Sequence, residues 1–325
     1  MRKYLLLTTL IAVPLSAETP KEILNVYTYD SFASEWGPGP AIEKGFEAQC
    51  GCDLVFTAAG DGAAILSRLQ LEGKNSDADV VVGIDQNLSD KAGDTGLFAM
   101  HGFEVSQEIG NAGLRWDNQT FRAYDWGHFA FVYKKANVEN PPKNFEELAD
   151  SDLKIVIEDP RSSTPGLGLA VWIGEVYGDD APAYWERLKD NIVTVTPGWS
   201  EAYSLFLAGE ADMVLSYTTS PAYHMIAESD DGFAAASFDE GHAMQIELSG
   251  IVATSDQPEL AKSFLEFLES DEAQSALVAG NWMYPVGDVK LPEGFTDSES
   301  FKSLNTETAT NGIETAVADY ETGLK

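Results

Sequence analysis

The chain has few basic residues for its length. Among 325 residues, 20 are lysine or arginine and 53 are aspartate or glutamate, a net charge of −33. That balance excludes a nucleic-acid partner, because phosphate binding needs a basic patch. The charge also reads as a heavily solvated surface, and it attracts cationic ligands. Cysteine is scarce: the two present lie together as Cys50-Gly51-Cys52. In an oxidising compartment they can pair, but a ring this small stabilises only modestly. The four histidines (His101, His128, His224, His242) are scattered without zinc-type spacing, so no metal site is expected. No G-x-S-x-G, S-x-x-K, G-x-x-x-x-G-K or H-E-x-x-H occurs. The chain therefore offers no residue as nucleophile or base, and no cofactor is expected. After the first residues there is no apolar run long enough to cross a membrane.

What is present begins with a leader. Met1-Arg2-Lys3 is basic, Tyr4 to Val13 is apolar, and Pro14-Leu15-Ser16-Ala17 ends on a small residue. This order is that of a secretory signal peptide over 1–17, cleaved near Ala17. The remainder is long enough for two domains, and 44% hydrophobic residues can fill their cores.

Strand and helix patterns alternate. ILNVY (23–27) reads as a strand, and YDSFASEWGPG (29–39) as a loop. A helix starts near Pro40, with Ile42 and Phe46 on one face. LVFT (54–57) is a second strand, Asp61 opens a second helix, and ADVVVGI (78–84) suits a strand covered on both faces. This order predicts a doubly wound α/β unit. A second set follows: GHFAFVY (127–133), Lys154 to Ile157, Pro165 to Tyr177, Ile192 to Val195, Ser200 to Gly209 and Asp212 to Ser216. Gln245 to Thr254 carries the chain onward to amphipathic helices from Pro258. The expectation is an α/β protein of two lobes with a hinged cleft. Residues 18–130 and 249–325 form the first lobe and 131–248 the second.

Chemistry-bearing residues collect at strand ends, where open α/β sheets bind ligands. Tyr29 and Trp36 follow the first strand, and Asp61-Gly62 the second. Ser163-Thr164 open a helix, and Trp199 follows a strand. Tyr217, Thr218, Thr219 and Ser220, with Tyr223 beyond Pro221, end another strand, and Trp282 lies in GNWMYP. Each has a plain structural reading as well. Asp61, Ser163 and Thr164 are good helix caps, and the large rings are good core residues. Together they describe a cleft with aromatic faces, hydroxyls and a carboxylate. Each cation–π contact on such faces contributes ~0.5–2 kcal/mol, and nanomolar binding needs about 12, so burial and hydrogen bonds must supply the rest.

These residues sit in longer runs. VYTYDSFASEWGPGP (26–40), LEGKNSDADVVVGID (71–85), EDPRSSTPGLGL (158–169), GWSEAYSLFLAGEADMVLSYTTSPAYH (198–224) and GNWMYP (280–285) resemble the periplasmic thiamine-binding proteins of bacterial ABC importers. The resemblance covers about Leu24 to Leu291. It implies a type II periplasmic solute-binding fold, a monomer, and an inner-membrane ABC permease with its ATPase as partner. It implies thiamine or its mono- or diphosphate as ligand. The contacts carried over are Asp61, Gly62, Ser163, Thr164, Trp199 and Tyr217 through Ser220. Tyr29, Trp36, Tyr223 and Trp282 are further wall residues. Gly60 stands where the family has an acidic residue, and the acidic stretch after Pro292 matches poorly. Two other readings compete. One is a polyamine or ferric-ion receptor, although iron receptors pair tyrosines directly and this chain has no Tyr-Tyr. The other is a secreted thiamine-degrading enzyme, which needs a nucleophilic cysteine in the cleft.

Overall fold

A computed structural model describes residues 21–110, 113–304 and 312–325. The expected signal peptide lies outside the described residues. The first α/β stretch runs β1 (Ile23–Thr28), α1 (Asp30–Ala33), α2 (Gly39–Cys50), β2 (Asp53–Ala58), α3 (Gly62–Glu72), β3 (Val80–Asp85) and α4 (Gln86–Asp94). A hairpin of β4 (Ser106–Ile109) and β5 (Leu114–Asp117) precedes the long β6 (Phe121–Lys134). Then come α5 (Phe145–Ala149), β7 (Ile155–Glu158), α6 (Thr164–Tyr177), α7 (Ala181–Leu188), β8 (Ile192–Thr196) and α8 (Trp199–Ala208). β9 (Met213–Tyr217), α9 (Ser220–Ala227) and β10 (Phe233–Ala235) follow. The chain ends with β11 (Met244–Ile251), α10 (Pro258–Leu268), α11 (Asp271–Gly280), β12 (Tyr284–Pro285) and α12 (Ile313–Gly323).

Local chemistry sets the boundaries. Pro40 occupies the first turn of α2, Ile42 and Phe46 are buried on its inner face, and Gly51 ends it in the left-handed conformation at φ 69°. Asp85 caps α4 by accepting from the Leu88 N–H at 3.0 Å, and Ser270 caps α11. Every residue of β3 is buried, as expected for a strand covered on both faces.

The strands join in the order β2-β1-β3-β11-β6-β9-β7-β8, with β10 and β12 also on β6. β6 holds the two halves together. Its residues up to His128 pair with β11, and Phe129 to Tyr133 pair with β9. Sequence reading finds only Gly127 to Tyr133, because Arg122 and Asp125 interrupt the apolar run before it. Both are buried, Arg122 by a bidentate pair with Glu269 and Asp125 beside Glu247. The stretch expected to be a loop after β1 holds the short helix α1, which buries Phe32. The last helix departs from the expected partition. α12 packs against α6 and α7 in the second half of the sheet, with Tyr320 edge-on to Trp185 at 5.1 Å.

Candidate functional site

Between the two halves lies a cavity of about 370 Å³. Strand ends and helix starts converge on it from both sides. All the residues named from sequence line it except Gly62, Ser163 and Thr218. Those three stand just behind. Ser163 and Gly62 bond to lining residues, while Thr218 is buried and gives its N–H to the His128 carbonyl.

One end is built by three helix starts. Asp61 holds the N-cap position of α3, yet its side chain does not cap that helix. Its Oδ2 instead accepts from Ser163 Oγ at 2.7 Å and from the Trp199 N–H at 3.0 Å. Ser163 and Trp199 stand at the starts of α6 and α8. The Gly62 N–H donates to Thr164 Oγ1 at 3.1 Å, and a Cβ on Gly62 would lie 2.5 Å from that oxygen. Glycine is therefore required by close approach. Burial pushes Asp61 up to about 6, against the lowering effect of its two donors.

The cluster after β9 is knitted together. Ser216 and Ser220 share a 2.7 Å hydroxyl contact, and Trp199 Nε1 donates to Ser216 Oγ at 2.8 Å. Ser220 opens α9, so Tyr223 stands on a helix rather than in a loop. Pro221 suits the first turn of that helix, and the three residues before it carried no apolar period to reveal it.

The walls are aromatic. Trp199 stacks on Tyr203 with centroids 4.8 Å apart, and Trp36 leans over it at 6.4 Å. Trp36 is 59% exposed, which puts it at the mouth. Tyr223 meets Trp282 edge-on at 5.6 Å. Trp282 has φ 58°, a conformation a bulky residue adopts only under constraint.

Sequence reading missed the floor. Glu247 on β11 lines the cavity and is only 6% exposed. Its Oε2 accepts from Tyr29 Oη at 2.7 Å and from Tyr124 Oη, and its Oε1 accepts from Gln245 Nε2 at 2.6 Å. Gln245 Oε1 in turn accepts from Tyr217 Oη at 2.8 Å. Tyr203 and Asn281 were also missed. The signal available was QIELSG, a strand with three polar residues, Gln245, Glu247 and Ser249, at alternate positions, which marks one polar face. No lysine, arginine or histidine is among the lining residues. Cys50 and Cys52 are joined in a disulfide at the end of α2, away from the cavity lining.

A cavity between two halves of an α/β sheet, walled by rings and buried carboxylates, defines a binding protein for a small solute. The chain belongs to the bacterial extracellular solute-binding protein family, whose profile matches residues 33–275. It is 54% identical over 297 residues to the thiamine-binding periplasmic protein of Salmonella typhimurium, covering 91% of this chain and 89% of that one. It is 39% identical over 329 residues to that of Haemophilus influenzae, covering 99% and 98%. Among solved structures it is similar to a periplasmic thiamin binding protein, at 48% identity and TM-score 0.88, with 97% and 99% coverage. A ferric binding protein from Campylobacter jejuni has a similar fold, at 25% identity and TM-score 0.75, with 93% and 100% coverage.

Proposed function

We propose that the protein binds thiamine in the periplasm and delivers it to an ABC permease with its ATPase. The observation that carries this reading is the cavity's chemistry. Aromatic rings from both halves and two buried carboxylates line it, with no basic residue among its lining. Thiamine has two flat rings and one permanent positive charge, so it matches both features. Its hydroxyethyl arm fits the end built by Thr164, Ser220 and the helix starts. The monophosphate and diphosphate esters enter the same end, where helix N-termini favour anions.

The chain works as a monomer of two lobes, 18–130 with the chain from 249 onward, and 131–248 with α12 docked on it, which close around the ligand. Asp61, Thr164, Trp199, Tyr217, Thr219 and Ser220 contact it, Gly62, Ser163 and Thr218 support them from behind, and Tyr29, Trp36, Tyr223 and Trp282 complete the walls. An N-terminal signal peptide cleaved near Ala17 directs export. Titration with thiamine, followed by tryptophan fluorescence and by heat, tests the reading. Saturable binding at micromolar concentration or tighter is expected, and its absence overturns the assignment. Competition with the two phosphate esters ranks the three forms. Scattering that shows a smaller radius with ligand supports closure.

A further inference from the structure

The two carboxylates that line the cavity are held differently. Asp61 is engaged by donors of the opposite half, Ser163 Oγ and the Trp199 N–H. Glu247 is also met by neutral donors, all of them side chains: the hydroxyls of Tyr29 and Tyr124, the amide of Gln245, and Asn281 Nδ2 at 3.5 Å. None of the ion pairs among the described residues includes Glu247.

We propose that Glu247 is the residue that selects a permanently cationic ligand over a neutral one of the same shape, and that Asp61 acts as a contact between the halves. This rests on the thiamine reading for the identity of the ligand. Glu247 sits against one wall through Tyr29, and Asn281, the residue before Trp282, ties it to the other. A ring held between those walls has its charge beside the carboxylate. A second acid, Asp125, is the cross-strand partner of Glu247 and accepts from Asn281 Nδ2 at 2.7 Å. Burial and the charge of Glu247 push Asp125 well above the usual carboxylate range. Burial raises Glu247 as well, so the two acids titrate as a pair, and Glu247, which lines the cavity and has the more numerous donors, is the one that faces the ligand. A buried anion with neutral partners is stabilised by a cation that arrives without its water. The hydroxyls of Tyr29 and Tyr124 stay protonated, because burial and that same charge oppose their ionisation.

The test compares thiamine with its thiophene isostere, which keeps both rings and lacks the positive charge. Binding heats are measured for the wild type, Glu247→Gln and Asp61→Asn, with circular dichroism confirming the fold. Wild type is expected to prefer thiamine by roughly tenfold or more. Glu247→Gln should lose most of that preference, with the isostere's affinity changed by less than about threefold. Asp61→Asn should weaken both ligands by a similar factor. Equal loss for both ligands in Glu247→Gln, or an intact preference, overturns the proposal while the thiamine assignment stands. A wild type that binds neither ligand overturns the assignment and the proposal together. If Glu247→Gln does not fold, Glu247→Met replaces the carboxylate with a neutral chain of similar volume and is read the same way.

Discussion

Asp61 Oδ2 and Ser163 Oγ lie 2.7 Å apart across 102 residues of sequence. The contact joins the start of α3 to the start of α6, and the Trp199 N–H adds the start of α8. A carboxylate placed to cap its own helix instead caps α8 through the Trp199 N–H and holds the Ser163 hydroxyl at the start of α6. The contact joins the halves of the sheet at one end of the cavity, and it leaves a buried carboxylate with a cost.

That cost has a sign that can be measured. The ordinary aspartate value is 3.8, and burial raises Asp61 to about 6. Between those values the folded protein keeps a proton that the unfolded chain has released. Stability therefore falls as pH rises through this window, and this group adds no further change above it. A shift of about two units corresponds to roughly 3 kcal/mol. Urea unfolding of the wild type and Asp61→Asn between pH 4 and pH 7 checks this. The wild type should lose ground to the variant as pH rises, by up to roughly 3 kcal/mol. A difference that stays flat, or grows the other way, shows that Asp61 is solvated in solution.

Gly83 positions a wall of the cavity. It has φ 107°, and a Cβ there would stand 2.2 Å from the Tyr29 ring. Gly83→Ala should therefore cost about 1–3 kcal/mol through backbone strain and overpacking. Because Tyr29 Oη donates to Glu247, the displaced ring also disturbs the charge-bearing site. Thiamine affinity should fall with stability. An unfolding midpoint and a binding isotherm on the same sample separate the two. A variant of lowered stability with wild-type affinity shows that Tyr29 is not held in place by this glycine.

The strand-end residues were legible because their chemistry is concentrated: hydroxyls, tyrosines and tryptophans where a ligand-binding α/β sheet places its loops. Gly62 was legible too, and the close approach of Thr164 Oγ1 gives the reason. Glu247 was not, because among 53 acidic residues the alternation in QIELSG marks a polar face without saying what that face meets. Only the pairing of β11 with β6 brings it beside Asp125, and only the fold brings Tyr29 and Tyr124 to it. The length of β6 was hidden for the same reason. Arg122 and Asp125 read as polar and exposed until Glu269 and Asn281 are seen to satisfy them. The placement of α12 depends on contacts with α6 and α7, far away in sequence and invisible to periodicity.

The disulfide closes a ring of three residues, with Gly51 between the cysteines in the left-handed conformation that also ends α2. Loop-closure entropy for so short a ring is about 1.6 kcal/mol. Replacing both cysteines by serine should lower unfolding stability by no more than about 2 kcal/mol. Thiamine affinity should be unchanged, since neither cysteine lines the cavity. Denaturant melts of oxidised protein and of the double variant decide the first point, and titration decides the second. A larger loss would mean that the bond orders the α2–β2 connection beyond its ring.

Trp282 combines strain and function in one residue. Its φ of 58° costs a non-glycine residue about 1–2 kcal/mol, while its ring meets Tyr223 and stacks near Phe295. Trp282→Ala loses the ring and keeps the strain. Trp282→Gly loses the ring and releases the strain. In ordinary backbone, alanine is the more stable of the two by roughly 0.5–1 kcal/mol. Here the order should reverse, with glycine more stable than alanine by about 1 kcal/mol. Both variants should bind thiamine weaker by roughly tenfold or more, since an aromatic wall is gone in each. Paired thermal melts give the stability order and isotherms give the affinities. Alanine proving the more stable would show that residue 282 relaxes out of the left-handed region once the ring is removed.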